Sequence, residues 1–219
     1  MCFSIEIIRD LKSLAQEFGS KIDKAAFERL NKNHTNDPKT YKIPGADNRI
    51  FPNVYSPVIV KGRIIRPMRY RIRPKGHAQE VPGKYNMYNA RLDALDKRRT
   101  WKTLFGKNHG LVPFKRFFEW VQVEGGKKQL GVFSPIGKDF MWAPCLTDTC
   151  SVGGEKLTTF AIITDDPPEE VRAAGHDRCP LFLGQEMIDA WLCPEGKSQK
   201  ELLELLTHQE PVKYSFLLL

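Results

Sequence analysis

Two sets of strand-like segments in the middle of the chain constrain its fold more than any other feature. Residues 111–123 and 127–134 flank Glu124-Gly125-Gly126, an arrangement that predicts a β-hairpin. Residues 139–146 and 156–164 predict two further strands. Because no strand–helix–strand alternation accompanies these segments, we expect an α+β fold with a mainly antiparallel sheet and short peripheral helices.

Helical patterns lie on either side of these strands. Residues 9–31 carry apolar side chains at helical spacing, and Gly19-Ser20 is expected to divide the stretch into two helices. The polar residues 31–48 predict a loop. Residues 166–170 predict a helix start with an acidic cap at the first position, and 198–201 form a capping-box pattern before a leucine-rich segment.

The composition is that of a globular protein, with 41% hydrophobic and 27% charged residues. No apolar run approaches the roughly 18 residues that a membrane-spanning helix needs. The N-terminal sequence lacks the basic and apolar segments of a secretory signal. We therefore expect no membrane partner and a cytoplasmic protein, associated with the nucleoid if the source is bacterial.

The five cysteines, at positions 2, 145, 150, 179 and 193, form no CxxC pair. An odd number without a secretory signal disfavours a disulfide framework, and no histidine lies close enough in sequence to complete a zinc site. We expect neither a metal nor another cofactor. Cys2 differs from the others because its position changes its chemistry.

The net charge of +8 is unevenly distributed along the chain. The stretches 61–76 and 97–116 each contain seven basic residues and no acid, and aromatic residues such as Tyr70 and Trp101 lie among them. Cations that contact phosphates, with rings that stack on bases, are typical of proteins that bind single-stranded nucleic acid. Two solvated basic faces are the alternative explanation.

Removal of Met1 would leave Cys2 with an α-amine and a thiol on adjacent carbons. An amine alone forms a hydrolysable imine with an aldehyde, whereas a 1,2-aminothiol goes on to close a thiazolidine ring. The α-amino pKa of about 8 leaves a useful fraction unprotonated near neutral pH. Cysteine at position 2 is nevertheless weak evidence when taken alone.

Three other stretches bring polar chemistry into apolar or basic surroundings. Residues 88–91 (YNAR) hold an amide and a guanidinium, 117–120 (FFEW) hold the single carboxylate Glu119, and 175–180 (GHDRCP) hold His176. A carboxylate buried among rings has a raised pKa and suits acid–base chemistry, whereas simple alternation along a strand would point Glu119 outward. Histidine suits proton transfer, although a lone histidine is more often structural.

Together these pieces resemble the SRAP (SOS response-associated peptidase) family, whose members sense abasic sites by crosslinking to single-stranded DNA. The family pattern begins with Met-Cys and continues with Asn-Ala-Arg-x-Glu, Phe-Tyr-Glu-Trp and His-x-Arg-Met-Pro. The matching stretches here are Met1-Cys2, Asn89-Ala90-Arg91, Phe118-Glu119-Trp120 and 176–180. Each motif is short, but four in the same order are fairly specific, and the resemblance covers most of residues 1–5 and 50–193.

The resemblance implies a partner, single-stranded DNA with abasic sites, and a monomeric protein. It also implies a mechanism in which Cys2 forms a thiazolidine crosslink, Glu119 handles the proton of its amine, and His176 protonates the sugar ring oxygen. Asn89 would orient the terminus or the sugar. Weak abasic-site lyase and self-processing peptidase activities are further implications. The implied DNA contacts come from Arg69, Tyr70, Arg71, Arg91, Trp120 and Arg178.

The chain departs from the family pattern in three places. Phe3-Ser4 stands where Gly-Arg is usual, so the resemblance implies either that Arg69 or Arg71 supplies the missing phosphate contact or that binding is weaker. Tyr70-Arg71 stands where Trp-Gly is usual. The helical segment at about 9–40 is expected to be an insertion within one domain spanning residues 1–219.

Two alternatives from other functional classes remain open. The first is a protein that binds single-stranded nucleic acid without catalysis, through the basic stretches and their aromatic residues. The second is a thiol hydrolase that pairs a cysteine nucleophile with His176 as its base. The first predicts salt-sensitive binding that is indifferent to abasic sites and to Cys2.

Overall fold

The computed structural model describes residues 4–77, 79–152 and 154–219. Strands dominate these residues, and the helices are short. The elements in chain order are β1 (Ser4–Ile7), α1 (Leu11–Glu17), β2 (Lys21–Ile22), α2 (Lys24–Asn36), β3 (Arg49–Ile50), β4 (Tyr55–Val60), β5 (Ile64–Tyr70), β6 (Asn89–Arg91), α3 (Arg99–Lys102), β7 (His109–Gln122), β8 (Lys128–Pro135), β9 (Met141–Val152), β10 (Glu155–Asp165), α4 (Glu169–Ala173), β11 (Cys179–Pro180), α5 (Ile188–Leu192), α6 (Gln199–Leu205) and β12 (Tyr214–Leu218).

Five of these strands close into a barrel. β10 pairs with β5, β5 with β4, β4 with β7, β7 with β9, and β9 returns to β10. The pairings between the named strands are antiparallel apart from those of β10 with β5 and β6 and of β2 with β5. The α+β class with a mainly antiparallel sheet in one domain is therefore confirmed.

The barrel interior is filled tightly, and Gly110 shows how tightly. A Cβ atom at this position of β7 would lie 2.9 Å from Cys145 Sγ and 2.9 Å from a Val58 methyl group. Contacts this short do not occur in packed cores, so two strands approach here because no side chain separates them. At this level the barrel interior is a closely packed core.

The second half of β7 leaves the barrel and becomes the centre of a wider sheet. Residues Phe117–Gln122 pair with β8, which in turn pairs with β12, while β1 pairs with β7 on its other side. The turn between β7 and β8 is a 3-10 segment, Glu124–Gly126, in which Gly125 has φ +80°. The predicted hairpin is confirmed, because its turn residues determine the local geometry.

The helical predictions are partly confirmed. Gly19, with φ +53°, ends the first helix, and the second helix begins after Asp23, whose carboxylate accepts the Ala26 N–H at 3.1 Å. This helix runs to Asn36, so the prediction of a loop from residue 31 was wrong for its first turn and a half. The Ser198 capping box is present before α6.

The predicted acidic cap at Asp166 was wrong. The N-cap of α4 is Pro168, which provides no side-chain hydrogen bond, and the acids of the first turn are Glu169 and Glu170. Asp166 instead accepts a hydrogen bond from Arg178 Nη1 at 2.8 Å. The Asp166 carboxylate thus forms a tertiary ion pair with Arg178 and does not cap α4, as the local sequence predicted it would.

Helices cover the outer surface of the barrel. Trp191 of α5 stacks on the His109 ring with centroids 3.7 Å apart, and its indole N–H donates to the Gly110 carbonyl at 2.8 Å. α2 packs over a small second core in which Leu30 contacts Tyr55 and its neighbours. None of the helices within the described ranges has the length and apolar character to cross a membrane.

Candidate active site

Glu119 is the most unusual side chain of β7, because it is charged and only 2% exposed. A shift of register between β1 and β7 near Arg116 leaves both Lys115 and Arg116 exposed. After this irregularity Phe117, Glu119 and Val121 face the interior, so the outward orientation of Glu119 does not occur. Burial raises the pKa of the Glu119 carboxyl, and its hydrogen bond to His176 opposes that rise.

His176 supplies the partner of this carboxylate. Its Nε2 lies 3.1 Å from Glu119 Oε2, and its Nδ1 lies 2.8 Å from the carbonyl oxygen of Arg178. The Arg178 N–H also approaches Nδ1, at 3.2 Å, so the ring is held between the backbone of its own loop and the Glu119 carboxylate. This is the geometry of a general acid–base pair.

Local structure holds His176 over the sheet. The chain turns at Gly175, which has φ +86°, directly after α4, and the His176 N–H donates to the Val171 carbonyl at 3.2 Å. A Cβ atom on Gly175 would lie 3.6 Å from the Gln122 carbonyl oxygen, so this loop passes close to β7. The imidazole is therefore positioned by a helix end and a glycine turn.

Asn89 is held by Tyr70 and by its own loop. The Tyr70 hydroxyl donates to Asn89 Oδ1 at 3.0 Å, and the Asn89 N–H donates to Asn86 Oδ1 at 3.0 Å. Tyr70 is 0% exposed and stacks on Phe160 with centroids 5.0 Å apart. Its ring therefore lies in the core, where it supports Asn89, and not on a surface that a base could reach.

The register brings Asn89 and Glu119 to the same face of the sheet. Asn89 pairs with Ile162, Ile162 with Cys145, and Cys145 with Gly110. Side chains of paired residues share a face. From Gly110 this face continues along β7 to Phe114, and after the register shift at Lys115 and Arg116 it continues through Phe117 to Glu119. Both polar side chains therefore point toward the interior side of the sheet.

Arg91 and Arg178 lie together at the end of β10. Arg91 pairs through its backbone with Thr164, which pairs with Pro180 on the opposite side. The guanidinium of Arg91 binds Asp93 with contacts of 3.0 and 2.7 Å, and that of Arg178 binds Asp166. Arg91 is exposed, whereas Arg178 is buried and its Nε has no protein acceptor among the described residues.

Arg69 and Arg71 are engaged elsewhere. Arg69 pairs with Tyr55 and Thr159 on the face opposite Tyr70, and its guanidinium contacts Glu80 at 2.7 Å. The Arg71 guanidinium donates to the Val81 carbonyl. Both side chains have protein partners away from β1, so the expectation that either one replaces an arginine at position 4 is not supported by their placement.

Sequence reasoning missed Arg49, which does reach position 4. Its Nη2 donates to Ser4 Oγ at 2.9 Å, and its guanidinium carbon lies 3.9 Å from the centre of the Phe118 ring. Arg49 is separated from Ser4 by 45 residues, and no local pattern in the sequence joins them. Trp120, two residues beyond Phe118, is 46% exposed, which agrees with a surface role.

Cys2 lies outside the described residues. Of the four cysteines within them, three are buried and Cys193 is exposed. Burial raises the pKa of the Cys145 thiol well above its ordinary value and that of Cys179 to about 12. No group of three His, Cys, Asp or Glu side chains in the described part of the chain is arranged to hold a metal ion.

The fold and site define a class of protein: a small barrel with a buried carboxylate–imidazole pair beside exposed basic and aromatic side chains. The sequence matches the family profile described as SOS response associated peptidase (SRAP) over residues 1–216, and the chain belongs to this family. The resemblance seen in the four short motifs is thereby confirmed.

Relatives in other organisms carry a common description. The chain is 29% identical over 212 residues to abasic site processing protein YMR114C of Saccharomyces cerevisiae, covering 90% of this chain and 56% of that protein. It is 27% identical over 175 residues to abasic site processing protein HMCES of Gallus gallus, covering 69% and 52%. The chain thus spans just over half the length of these relatives.

Solved structures share the fold. A protein from Bacteroides thetaiotaomicron superposes with a TM-score of 0.76 at 20% identity, covering 99% of this chain and 91% of that one. A protein from Bordetella bronchiseptica gives a TM-score of 0.73 at 14% identity, covering 100% and 99%. At these identities the likeness concerns the fold.

Proposed function

We propose that this chain processes abasic sites in single-stranded DNA by forming a covalent bond through Cys2, as a monomer and without a cofactor. The observation that carries the proposal is the buried Glu119–His176 pair, with its 3.1 Å contact, in a chain of the SRAP family. Its relatives' description as abasic site processing proteins supports the choice of substrate. An acid–base pair of this kind suits a reaction in which an amine must lose a proton and a sugar oxygen must gain one.

The proposed reaction begins after Met1 is removed. The Cys2 amine nitrogen adds to C1′ of the ring-opened abasic sugar, and the carbinolamine loses one water to form an imine. The Cys2 thiolate then adds to the same carbon and the imine nitrogen takes up a proton, which closes a five-membered thiazolidine ring. The net change is formation of C–N and C–S bonds with loss of one water, so no oxidant or reductant is required.

Each polar side chain has a distinct part in this scheme. Glu119 accepts the proton of the attacking amine, because a carboxyl with a raised pKa exchanges protons closer to neutral pH than an exposed one. His176 delivers a proton to the sugar ring oxygen as the ring opens and later to the departing water. Asn89, held by the Tyr70 hydroxyl, orients the terminus or the sugar.

The arginines at the end of β10 are proposed to hold the flanking phosphates. Arg91 is exposed and its partner Asp93 lies at the surface, so an incoming phosphate can exchange with that carboxylate. Arg178 is more buried and steadies the loop that carries His176. The imine stage also permits β-elimination, so we propose weak abasic-site lyase activity as well. Removal of Met1 by the protein itself is a further part of the proposal.

Adduct formation with a single-stranded oligonucleotide that contains one abasic site tests this function. The protein with Met1 removed should give a band that survives denaturation, and Cys2→Ala should remove it. Cys193→Ala is the matched control, because Cys193 is the exposed thiol among the described cysteines. An adduct that survives Cys2→Ala unchanged would contradict the mechanism.

The two alternatives make different predictions in the same assay. A thiol hydrolase needs a cysteine nucleophile with a depressed pKa, whereas burial raises the pKa of Cys145 and Cys179. A protein that binds without reacting would retain equal affinity for intact and abasic strands and give no adduct. Mass spectrometry of the N-terminus in Glu119→Gln and His176→Ala variants separates self-processing from processing by the host.

A further inference from the structure

Arg49 occupies a defined position on the outer face of the sheet. Ser4 Oγ accepts a hydrogen bond from its Nη2 at 2.9 Å, and its guanidinium carbon lies 3.9 Å from the ring centre of Phe118 and 5.0 Å from that of Phe51. A long flexible side chain is thus held at its end by a hydroxyl and lies over two aromatic rings. This arrangement reduces the entropy that an arginine would lose on binding an anion.

The register places this guanidinium close to the candidate active site. Ser4 pairs with Phe118, the residue immediately before Glu119 on β7. Phe118 and Trp120 alternate with Glu119, so they face outward where Glu119 faces inward. Neighbours on one face of a strand are about 7 Å apart. Arg49 and the exposed Trp120 therefore share the outer face of β7, opposite the Glu119 carboxylate and close to it along the strand.

The charge of Arg49 has no bound carboxylate within the described ranges. Glu6, its cross-strand neighbour, is 2.9 Å from Arg116 instead, and the Asp47 carboxylate accepts the backbone N–H of Arg49 at 3.1 Å. The Nε of Arg49 is buried and has no protein acceptor among the described residues. The guanidinium stays charged at any physiological pH. A partly desolvated cation with unused donors favours an anionic ligand.

We propose that Arg49 binds a backbone phosphate of the single strand next to the reacting nucleotide, while Trp120 stacks on a neighbouring base. This inference rests on the proposed function. It adds a residue, Arg49, that fixes the position of the single-stranded DNA on the outer face of the sheet. The ligand is a phosphodiester, and a planar guanidinium backed by two rings presents its remaining N–H groups to it. Ser4 acts by positioning Arg49 and is not itself expected to contact DNA.

The test measures non-covalent binding to a fluorescent single-stranded oligonucleotide without an abasic site, across a range of salt concentrations. Arg49→Gln should weaken binding about 10-fold and reduce the slope of log K against log salt by about 0.7, the value for one phosphate contact on a single strand. Arg49→Lys should keep most of the slope but lose affinity. Ser4→Ala should have an intermediate affinity, because the cation remains without its anchor.

Arg29→Gln is the matched control, because Arg29 is exposed on α2 and its replacement also removes one positive charge. It should leave the salt slope unchanged. A salt slope in Arg49→Gln equal to that of the wild type, in a variant with a normal circular dichroism spectrum, overturns the inference. If Arg49→Gln does not fold, equal affinities and slopes for Arg49→Lys, Ser4→Ala and the wild type overturn it.

The same proteins distinguish failure of this inference from failure of the proposed function. If the wild type binds intact strands but forms no adduct with abasic ones, the proposed function fails while the Arg49 result still stands. If the adduct forms at the wild-type rate in Arg49→Gln and binding is unchanged, the function stands and Arg49 has only a structural role.

Discussion

Burial of Glu119 beside His176 links the chemistry of the site to the stability of the protein. A carboxyl whose pKa is raised in the folded state keeps its proton after the unfolded chain has lost it. Over that range the folded state binds more protons, so the free energy of unfolding falls as pH rises from the unfolded pKa through the folded one. The folded protein thus carries this buried acid at a cost in stability near neutral pH.

Replacement of Glu119 by Gln should therefore separate activity from stability. We expect adduct formation to slow by about 10²- to 10⁴-fold, the usual loss when a general acid–base group is removed. The free energy of unfolding of the variant should increase relative to that of the wild type as pH rises above about 4.5, because the variant has no carboxyl to ionise. Urea titrations across this range and single-turnover adduct assays provide the measurements. A constant stability difference across these pH values would contradict the raised pKa.

Trp120 provides a second prediction for a single residue. Its ring is 46% exposed on the same outer face as Phe118, and stacking of one base on an aromatic side chain contributes about 1–3 kcal/mol. Trp120→Ala should therefore weaken binding to intact single strands by about 5- to 100-fold, as measured by fluorescence anisotropy. Trp120→Phe keeps a ring and should lose much less. Equal affinities for wild type and Trp120→Ala would exclude the stacking role.

The sequence predicts individual site residues only where a motif is local. Glu119 and His176 stand in short motifs whose side chains the structure brings into contact. Arg49 could not be found in this way, because its bond to Ser4 depends on strand pairing between distant segments. The buried position of Tyr70 was equally invisible, since its neighbour Phe160 comes from another strand. Short motifs therefore identify reactive residue types, whereas strand pairing determines which distant side chains contact them.

At the level of elements, β12 and α4 together hold the loop that carries His176. The Tyr214 N–H donates to Glu170 Oε1 at 2.9 Å, and the Tyr214 ring meets Phe117 edge-on with centroids 5.3 Å apart. Phe117 lies two residues before Glu119, and Glu170 lies six residues before His176. One strand thus connects the two halves of the acid–base pair.

Glu170 should therefore influence the reaction without touching the substrate. Glu170→Ala leaves a partly buried N–H without its acceptor, which costs about 1–3 kcal/mol, and it releases α4 from β12. We expect a lower midpoint of thermal unfolding and several-fold slower adduct formation at a temperature where the variant is fully folded. Glu170→Gln keeps an oxygen acceptor and should recover most of the rate. If both variants react at the wild-type rate, α4 does not need this contact.

Elements whose ends are determined by nearby residues agree with the predictions made from the sequence. The β7–β8 hairpin follows from its glycine turn, and α6 follows from the Ser198 capping box. The start of α4 does not, because Arg178 competes for the carboxylate of Asp166. That arginine is 12 residues away, beyond the range of a capping rule. Prediction fails where a tertiary ion pair replaces a local bond.

At the level of the whole molecule, closure of the barrel depends on contacts that no sequence pattern reveals. The parallel pairing of Thr159 with Arg69 joins segments 90 residues apart and closes the ring between β10 and β5. Strand patterning predicts an antiparallel sheet but does not determine which strands become neighbours. The class of the fold was therefore predictable, whereas the barrel was not.

His109 should make this closed structure sensitive to acid. Burial lowers the pKa of its ring to about 4, while its hydrogen bond to the Trp191 carbonyl opposes the shift. Between about pH 6.5 and pH 4 the unfolded chain binds a proton that the folded protein excludes, so stability falls as pH falls. The expected loss is roughly 3 kcal/mol. In His109→Gln the decrease over this range should be smaller, and identical pH profiles from chemical denaturation would contradict it.

Gly110 tests whether the barrel interior is as tightly packed as its contacts indicate. Gly110→Ala would place a methyl group 2.9 Å from Cys145 Sγ and from a Val58 methyl, with Thr147 at 3.1 Å. These atoms belong to β4 and β9, the strands on either side of β7, so relief requires the barrel to expand, at a cost of about 1–3 kcal/mol. Val58→Ala alone should also destabilise the protein, because it leaves a cavity. The double variant should be more stable than the sum of the two losses predicts, since the new methyl occupies the space that valine vacates. Strictly additive free energies of unfolding in this cycle would show that the strands move apart freely at Gly110.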